Sequence, residues 1–137
     1  MTRYLLDTNV VSEIRKMRPH GAVVAWLRSL HRGQVCVSAV TLGELQAGIE
    51  MTRAQDAAKA RSLTEWLDEV AQSHEILPMD GLCFREWARL KHRQSDTIFP
   101  DAMIAATARG RGLTVATRNE RDFKAFNVPL LNLFHSS

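Results

Sequence analysis

Four acidic residues and one amide occupy positions from which a folded chain could build a reactive centre. Asp7 directly follows an apolar run in Tyr4-Leu5-Leu6-Asp7-Thr8-Asn9, and Glu44 falls about one helical turn beyond another in Ser38-Ala39-Val40-Thr41-Leu42-Gly43-Glu44. Asp101 opens Pro100-Asp101-Ala102-Met103-Ile104-Ala105-Ala106-Thr107-Ala108, while Asn119 and Asp122 follow a further run in Val115-Ala116-Thr117-Arg118-Asn119-Glu120-Arg121-Asp122-Phe123. If three carboxylates converge to about 5 Å, each pair repels by roughly 3 kcal/mol at an effective dielectric near 20, and three pairs cost on the order of 10 kcal/mol. That equals the stability of a whole domain. Such a cluster needs protons or a cation to exist, and one carboxylate per proton is a poor solution at pH 7. All-oxygen ligands select hard cations, Mg²⁺ or Mn²⁺, over zinc.

Each acid also has a local explanation. Asp7 or Asn9 could cap a helix running through Val10 and Ile14. Thr41-Leu42-Gly43-Glu44 matches the capping box, in which the Glu side chain returns to the N-cap amide. Asp101, at about N2 after a proline at N1, complements a helix dipole. Two features favour convergence instead. The segment after Asp101 is apolar almost all round, so a charge leading into it needs a partner to offset its desolvation. Glu44 projects about 200° away from Leu42 on a helix, off the face of Leu42, Leu45 and Ile49, and can face a cleft while they face a core.

The elements that must position these groups alternate between short apolar strands and longer helices. Strands are predicted at Arg3 to Leu6, Gln34 to Val37, Glu75 to Leu77, Thr114 to Thr117 and Leu130 to Leu133, each short and apolar as buried parallel strands are. This alternation predicts a parallel sheet covered by helices, whose strand ends share one edge where ligands bind. The residues between the second and third strands read as a helical hairpin. Its second arm carries Leu63, Trp66, Leu67 and Val70 at i, i+3, i+4, i+7, a stripe for the core or for another chain. Leu82 to Arg93 is also helical, with Cys83, Trp87 and Leu90 on one side and Arg85, Arg89 and Arg93 on another, either a solvated basic face or a nucleic-acid contact.

A chain of 137 residues and 15.4 kDa is one domain, and its 45% apolar and 24% charged residues exclude disordered and fibrous classes. The longest apolar stretch, Ala22 to Leu27, is far short of a bilayer span, and Asp7 interrupts any signal-peptide core, so a soluble cytoplasmic protein is expected. Cys36 and Cys83 have neither zinc-type nor CxxC spacing and are expected to be reduced, buried thiols. Net charge is +3, with fourteen Arg against four Lys; the guanidinium fork suits an anionic partner, although a GC-rich coding sequence gives the same bias.

Taken together, Leu6-Asp7-Thr8-Asn9, the strand followed by Glu44, Asp101 leading Met103 to Ala108, and Thr117-Arg118-Asn119 resemble the PIN domain, and more narrowly the VapC-type toxin ribonucleases of bacterial toxin–antitoxin pairs. The likeness runs from about Tyr4 to Phe134. It implies residues 1–137 as a single nuclease domain, a three-layer α/β/α sandwich with a central parallel sheet. It also implies Mg²⁺- or Mn²⁺-dependent cleavage of structured RNA, of the transfer or ribosomal class, by a metal-activated water.

Carried over by position, Asp7, Glu44 and Asp101 would be the catalytic, metal-holding acids. Family members often have Asp where Asn119 stands, so Asn119 through a water, or Asp122, would complete the site from the outer shell. Thr8, Asn9 and Thr117 are placed to support the acids. Arg85, Arg89, Arg93, Arg118 and Arg121 are candidates for RNA backbone contacts. The resemblance further implies a small antitoxin as partner and a homodimer or larger toxin–antitoxin assembly, with no membrane association.

Three rivals compete with this reading. A metal-poor PIN relative would act as a subunit that binds an antitoxin and, through it, operator DNA. An aspartyl-phosphate phosphatase would want a second Asp where Asn9 stands. Hydrolysis by histidine would have to draw on His20, His31, His74, His92 and His135, which are scattered and match no HExxH or GxSxG setting.

Overall fold

The computed structural model describes residues 1–92 and 99–134. The chain runs β1 (Tyr4–Leu6), α1 (Thr8–Arg15), α2 (Gly21–Ser29), a 3-10 turn, β2 (Val35–Ser38), α3 (Ala39–Arg53), α4 (Ala57–Ser73), β3 (Glu75–Leu77), α5 (Gly81–Lys91), α6 (Phe99–Arg111), β4 (Thr114–Ala116), α7 (Glu120–Phe123) and β5 (Leu130–Leu131). The strands are the predicted ones: β3 coincides, β2 is shifted by one residue to end at Ser38, and β1, β4 and β5 are shorter by one or two residues. Gln34 belongs to the turn before β2, Thr117 lies just past β4, and β5 stops at Leu131.

All five strands are parallel in the order β3-β2-β1-β4-β5. The chain winds from β1 outward through β2 and β3, then returns to the other side of β1 for β4 and β5. Winding direction therefore reverses between β1 and β4, the switch point at whose carboxyl edge open α/β sheets form their ligand crevice. Asp7 follows β1 and Thr117 follows β4, so both flank that switch point.

Alternation along each strand builds the two faces. Leu5, Cys36, Leu77 and Val115 point into one cluster with Ala102, Ile104, Ala105 and Ala108 of α6 and with Phe123 and Phe126. Leu6, Val37 and Ala116 point to the opposite side, against Val10 and Val11 of α1, Val23 of α2 and Val70 of α4. The outcome is a three-layer sandwich, helix over sheet over helix. The apolar stripe of α4 is core: Leu67 and Val70 are buried, and Leu63 and Trp66 pack against Ile49 and Ala60 or the α1 cluster. Cys36 and Cys83 are both buried and not disulfide-bonded.

Two helix ends aim functional segments. Ser38 caps α3, its Oγ accepting from the Val40 amide at 3.0 Å, so α3 begins three residues earlier than a Thr41 capping box would allow. Glu44 is thereby released from capping. At the other end of the chain α6 stops at Gly112, whose φ of +65° suits a residue without a Cβ, and the Leu113 amide closes the turn on the Ala108 carbonyl at 2.9 Å. This turn feeds the chain straight into β4.

Leu5 is fully buried in the central strand. Leu5→Ala should cost about 2–5 kcal/mol in urea denaturation, whereas Met17→Ala, at a fully exposed position, should stay within roughly 0.5 kcal/mol.

Candidate functional site

Asp7 is the anchor of the crevice. It is the N-cap of α1, with extended backbone, and is only 3% exposed. Its Oδ1 accepts from the Thr8 amide at 2.8 Å, while Oδ2 accepts from the Thr117 hydroxyl at 2.7 Å and the Asn9 amide at 3.0 Å. Capping and facing the crevice are thus one arrangement, each using a different oxygen. The Arg118 amide donates to Asn9 Oδ1 at 3.1 Å, which turns the Nδ2 end of Asn9 toward Asp7. Thr117 Oγ1 in turn accepts from the Asn119 amide at 2.9 Å.

Glu44 comes from the second turn of α3. The Thr8 hydroxyl donates to its Oε1 at 2.6 Å and lies 3.0 Å from the buried Thr41 hydroxyl. One residue, Thr8, therefore bridges Asp7 through its backbone and Glu44 through its side chain. Asp101 is half-buried in the first turn of α6, one position further into the helix than the sequence predicts.

The electrostatics tie these groups together. Burial pushes the Asp101 carboxyl up to about 7, helped by the negative charges of Asp7, Asp122 and Glu44. Asp7 is also raised, first by burial and then by Glu44, against the lowering pull of its hydrogen bonds from Thr117, Thr8 and Asn9. Neutral donors orient these carboxylates without cancelling their charge. Among the described residues none of the ion pairs reaches Asp7, Glu44, Asp101 or Asp122; the cations pair with Glu13, Glu50, Glu75, Asp80 and Glu86.

Position and field agree on where the acids lie, but the side chains stop short of a ready cage. Among the described residues no three Asp, Glu, His or Cys side chains already share a point at which a metal could be held. The donor set itself, hard oxygens with excess negative charge in a partly dry crevice, fits Mg²⁺ or Mn²⁺ and nothing softer.

The remaining predicted residues divide. Of the two residues expected to complete the site, Asp122 is the one whose negative charge helps to raise Asp101. Asn119 is exposed at the N-cap of α7, its side chain making no capping bond. Arg118, Arg121 and Lys124 line a polar cavity of about 440 Å³ together with Asn119, Asp122 and Asn132, beside the acids. The Arg118 guanidinium, however, is held by Glu13 and lies 4.2 Å over the Phe134 ring. Arg89 pairs with Glu86 and lines a different cavity, with Arg109 and Phe126, and Arg85 is exposed on α5. Arg93 and His135 lie outside the described residues.

The sequence reading missed Glu13, Lys124 and Thr41. Glu13 carried a legible signal: it sits three residues after Val10, on the buried stripe of α1, where a charge needs partners.

Comparison with known proteins covers nearly the whole chain. The model of the PIN domain matches residues 4–128. The toxin FitB of Neisseria gonorrhoeae is 36% identical over 96% of this chain and 98% of its own. The tRNA(fMet)-specific endonuclease VapC of Shigella flexneri is 31% identical over 90% of this chain and 92% of its own. The solved structure of FitAB bound to an IR36 DNA fragment superposes with a TM-score of 0.84 at 33% identity, covering 98% of this chain and 97% of the other. No helix among the described residues is long and apolar enough to cross a membrane. A sheet that reverses between β1 and β4, an acid at each surrounding turn and relatives aligned almost end to end lead to one conclusion: this chain belongs to the PIN domain family, beside the VapC- and FitB-type toxins.

Proposed function

We propose that this protein is the toxin of a toxin–antitoxin pair, a cytoplasmic endoribonuclease that cuts structured RNA of the transfer or ribosomal class with Mg²⁺ or Mn²⁺. The observation that carries this reading is the unpaired negative charge around Asp7: one buried carboxylate, with Glu44, Asp122 and Asp101 repelling one another and, among the described residues, no lysine or arginine in an ion pair with them. Asp7, Glu44 and Asp101 would hold the cation, and Asp122 would add charge from the outer shell. When bound, such an ion makes water a better nucleophile and offsets the charge that grows on a phosphodiester in the transition state. Thr8, Asn9 and Thr117 fix the rotamers of the acids by the hydrogen bonds described above. Holding the cation would require the raised carboxyl of Asp101 to be ionised, so binding would be coupled to loss of its proton.

RNA is a polyanion and must be drawn to an acidic crevice by cations at its rim. Arg121 and Lys124 beside Asp122 are placed for contacts to the sugar–phosphate backbone, which give affinity without sequence choice. An antitoxin supplies the off-switch such an activity needs, in an assembly with at least two toxin copies. A second reading, a subunit that binds its antitoxin and operator DNA without cutting RNA, draws on the neutral Asn119 and on acids that are not yet gathered. Calorimetry separates the two, since that subunit would bind no Mn²⁺.

Asp7→Asn and Asp101→Asn should each abolish Mn²⁺-dependent cleavage of total RNA, a loss exceeding the roughly 10–100-fold typical of supporting residues, and EDTA should do the same to the wild type. Circular dichroism of both variants should match the wild type. Unchanged cutting in both would remove the assignment of the acids.

The raised carboxyl also sets a pH dependence. Asp101 moves from its ordinary 3.8 to about 7 on folding, so the stabilisation it gives is complete below pH 3.8 and is lost as pH rises through about 7. In EDTA the wild type should therefore gain Tm relative to Asp101→Asn on going from pH 8 to pH 5, because the other titrating groups are common to both proteins. Parallel Tm profiles would show that Asp101 keeps its ordinary pKa.

A further inference from the structure

Glu13 is a buried carboxylate that the reaction does not use. Its side chain is 5% exposed, and it gathers three partners from two separate segments. Lys16 Nζ lies 2.9 Å from Oε1, the His20 amide donates to Oε2 at 2.9 Å, and Arg118 Nη2 reaches Oε1 at 3.6 Å. Lys16 and His20 are near neighbours in sequence and account for an ordinary role in ending α1 and turning the chain into α2. Arg118 does not fit that role, because it comes from the turn after β4, at the far end of the chain.

That turn reaches both groups that bond Asp7 Oδ2: it carries Thr117, and its Arg118 N–H holds the side chain of Asn9 from α1. Thr117 donates to that oxygen directly, and Asn9 does so with its amide oriented by the Arg118 N–H. Arg118 is held through its backbone N–H and carbonyl, and its half-exposed guanidinium has one ionic partner. Its N–H binds Asn9, its carbonyl accepts from Asn132 at 3.2 Å, and its guanidinium lies 3.6 Å from Glu13 with Cζ 4.2 Å over Phe134, which itself packs on His20 at 5.3 Å. A guanidinium committed to a buried carboxylate and an aromatic face is poorly placed to reach an RNA phosphate. It is well placed to hold a backbone turn still.

We propose that Glu13 and Arg118 form a strut that positions the turn after β4, and through it Thr117 and Asn9, against Asp7, making Glu13 a positioning residue for the acidic site. The inference rests on the ribonuclease reading above. Supporting side chains around a ligand set typically change affinity or rate by about 10–100-fold when altered, and that is the effect expected here.

The test is a double-mutant cycle at 25 °C with Glu13→Gln, Arg118→Gln and the double variant, measuring kcat and KM on a short RNA, Mn²⁺ affinity by calorimetry, and Tm. Expected are a fall in kcat of about tenfold or more at unchanged KM, a matching loss of Mn²⁺ affinity, and a double variant no worse than either single one. A strut that matters only for stability would lower Tm and leave kcat and Mn²⁺ affinity at wild-type values, overturning the proposal. So would a rise in KM confined to the Arg118→Gln variants, the mark of a direct RNA contact. Should Glu13→Gln fail to fold, Arg118→Gln alone decides, since its half-exposed side chain can be changed without leaving a cavity. Failure of the wild type itself to cut RNA or bind Mn²⁺ would count against the ribonuclease reading and is read separately.

Discussion

Burial and like-charge repulsion act on the same carboxylates at the carboxyl edge of the sheet, and both favour the neutral form. Asp7 cannot retreat, because it caps α1 at the end of the central strand and three donors fix its oxygens. Asp101 cannot retreat far either, since the helix it opens is buried along Ala102, Ile104, Ala105 and Ala106. The apolar layers on both faces that stabilise the sandwich thus also force acids at its edge into one field.

The rest of the crevice keeps that frustration in place rather than relieving it. Hydroxyls and an amide, from Thr8, Thr117 and Asn9, hold the acids by neutral hydrogen bonds. The lysines and arginines in ion pairs are directed elsewhere, and Arg118, though next in sequence to Thr117, turns its charge to Glu13. A cation placed among these groups gains from every carboxylate and, among the described residues, displaces no ion-paired lysine or arginine. Folding stability and ion binding are therefore opposed at these positions, which is the usual relation between a strained site and its scaffold.

Much of this was readable from the chain. Five short apolar runs separated by helical periods dictate a parallel sheet, and acids placed just after such runs must meet at one edge. What local pattern could not decide was where each helix begins. Thr41 and Glu44 satisfy the spacing of a capping box, yet Ser38 takes the cap and leaves Glu44 to Thr8, a contact between α1 and α3 that only tertiary packing creates. Arginines had the same ambiguity. Arg118 was a candidate phosphate ligand, and its approach to the buried Glu13 is invisible until α1 is laid on the turn after β4. Resemblance of the motifs supplied the choice of RNA as substrate, which charge and periodicity did not contain.

The most direct test of frustrated charge at this edge is Mn²⁺ calorimetry at pH 7 in buffers of different ionisation enthalpy, on the wild type and on Asp101→Asn. Binding by the wild type with net proton release, and no release from Asp101→Asn, is the expected result. Absence of binding, or binding whose heat is the same in every buffer, would contradict it.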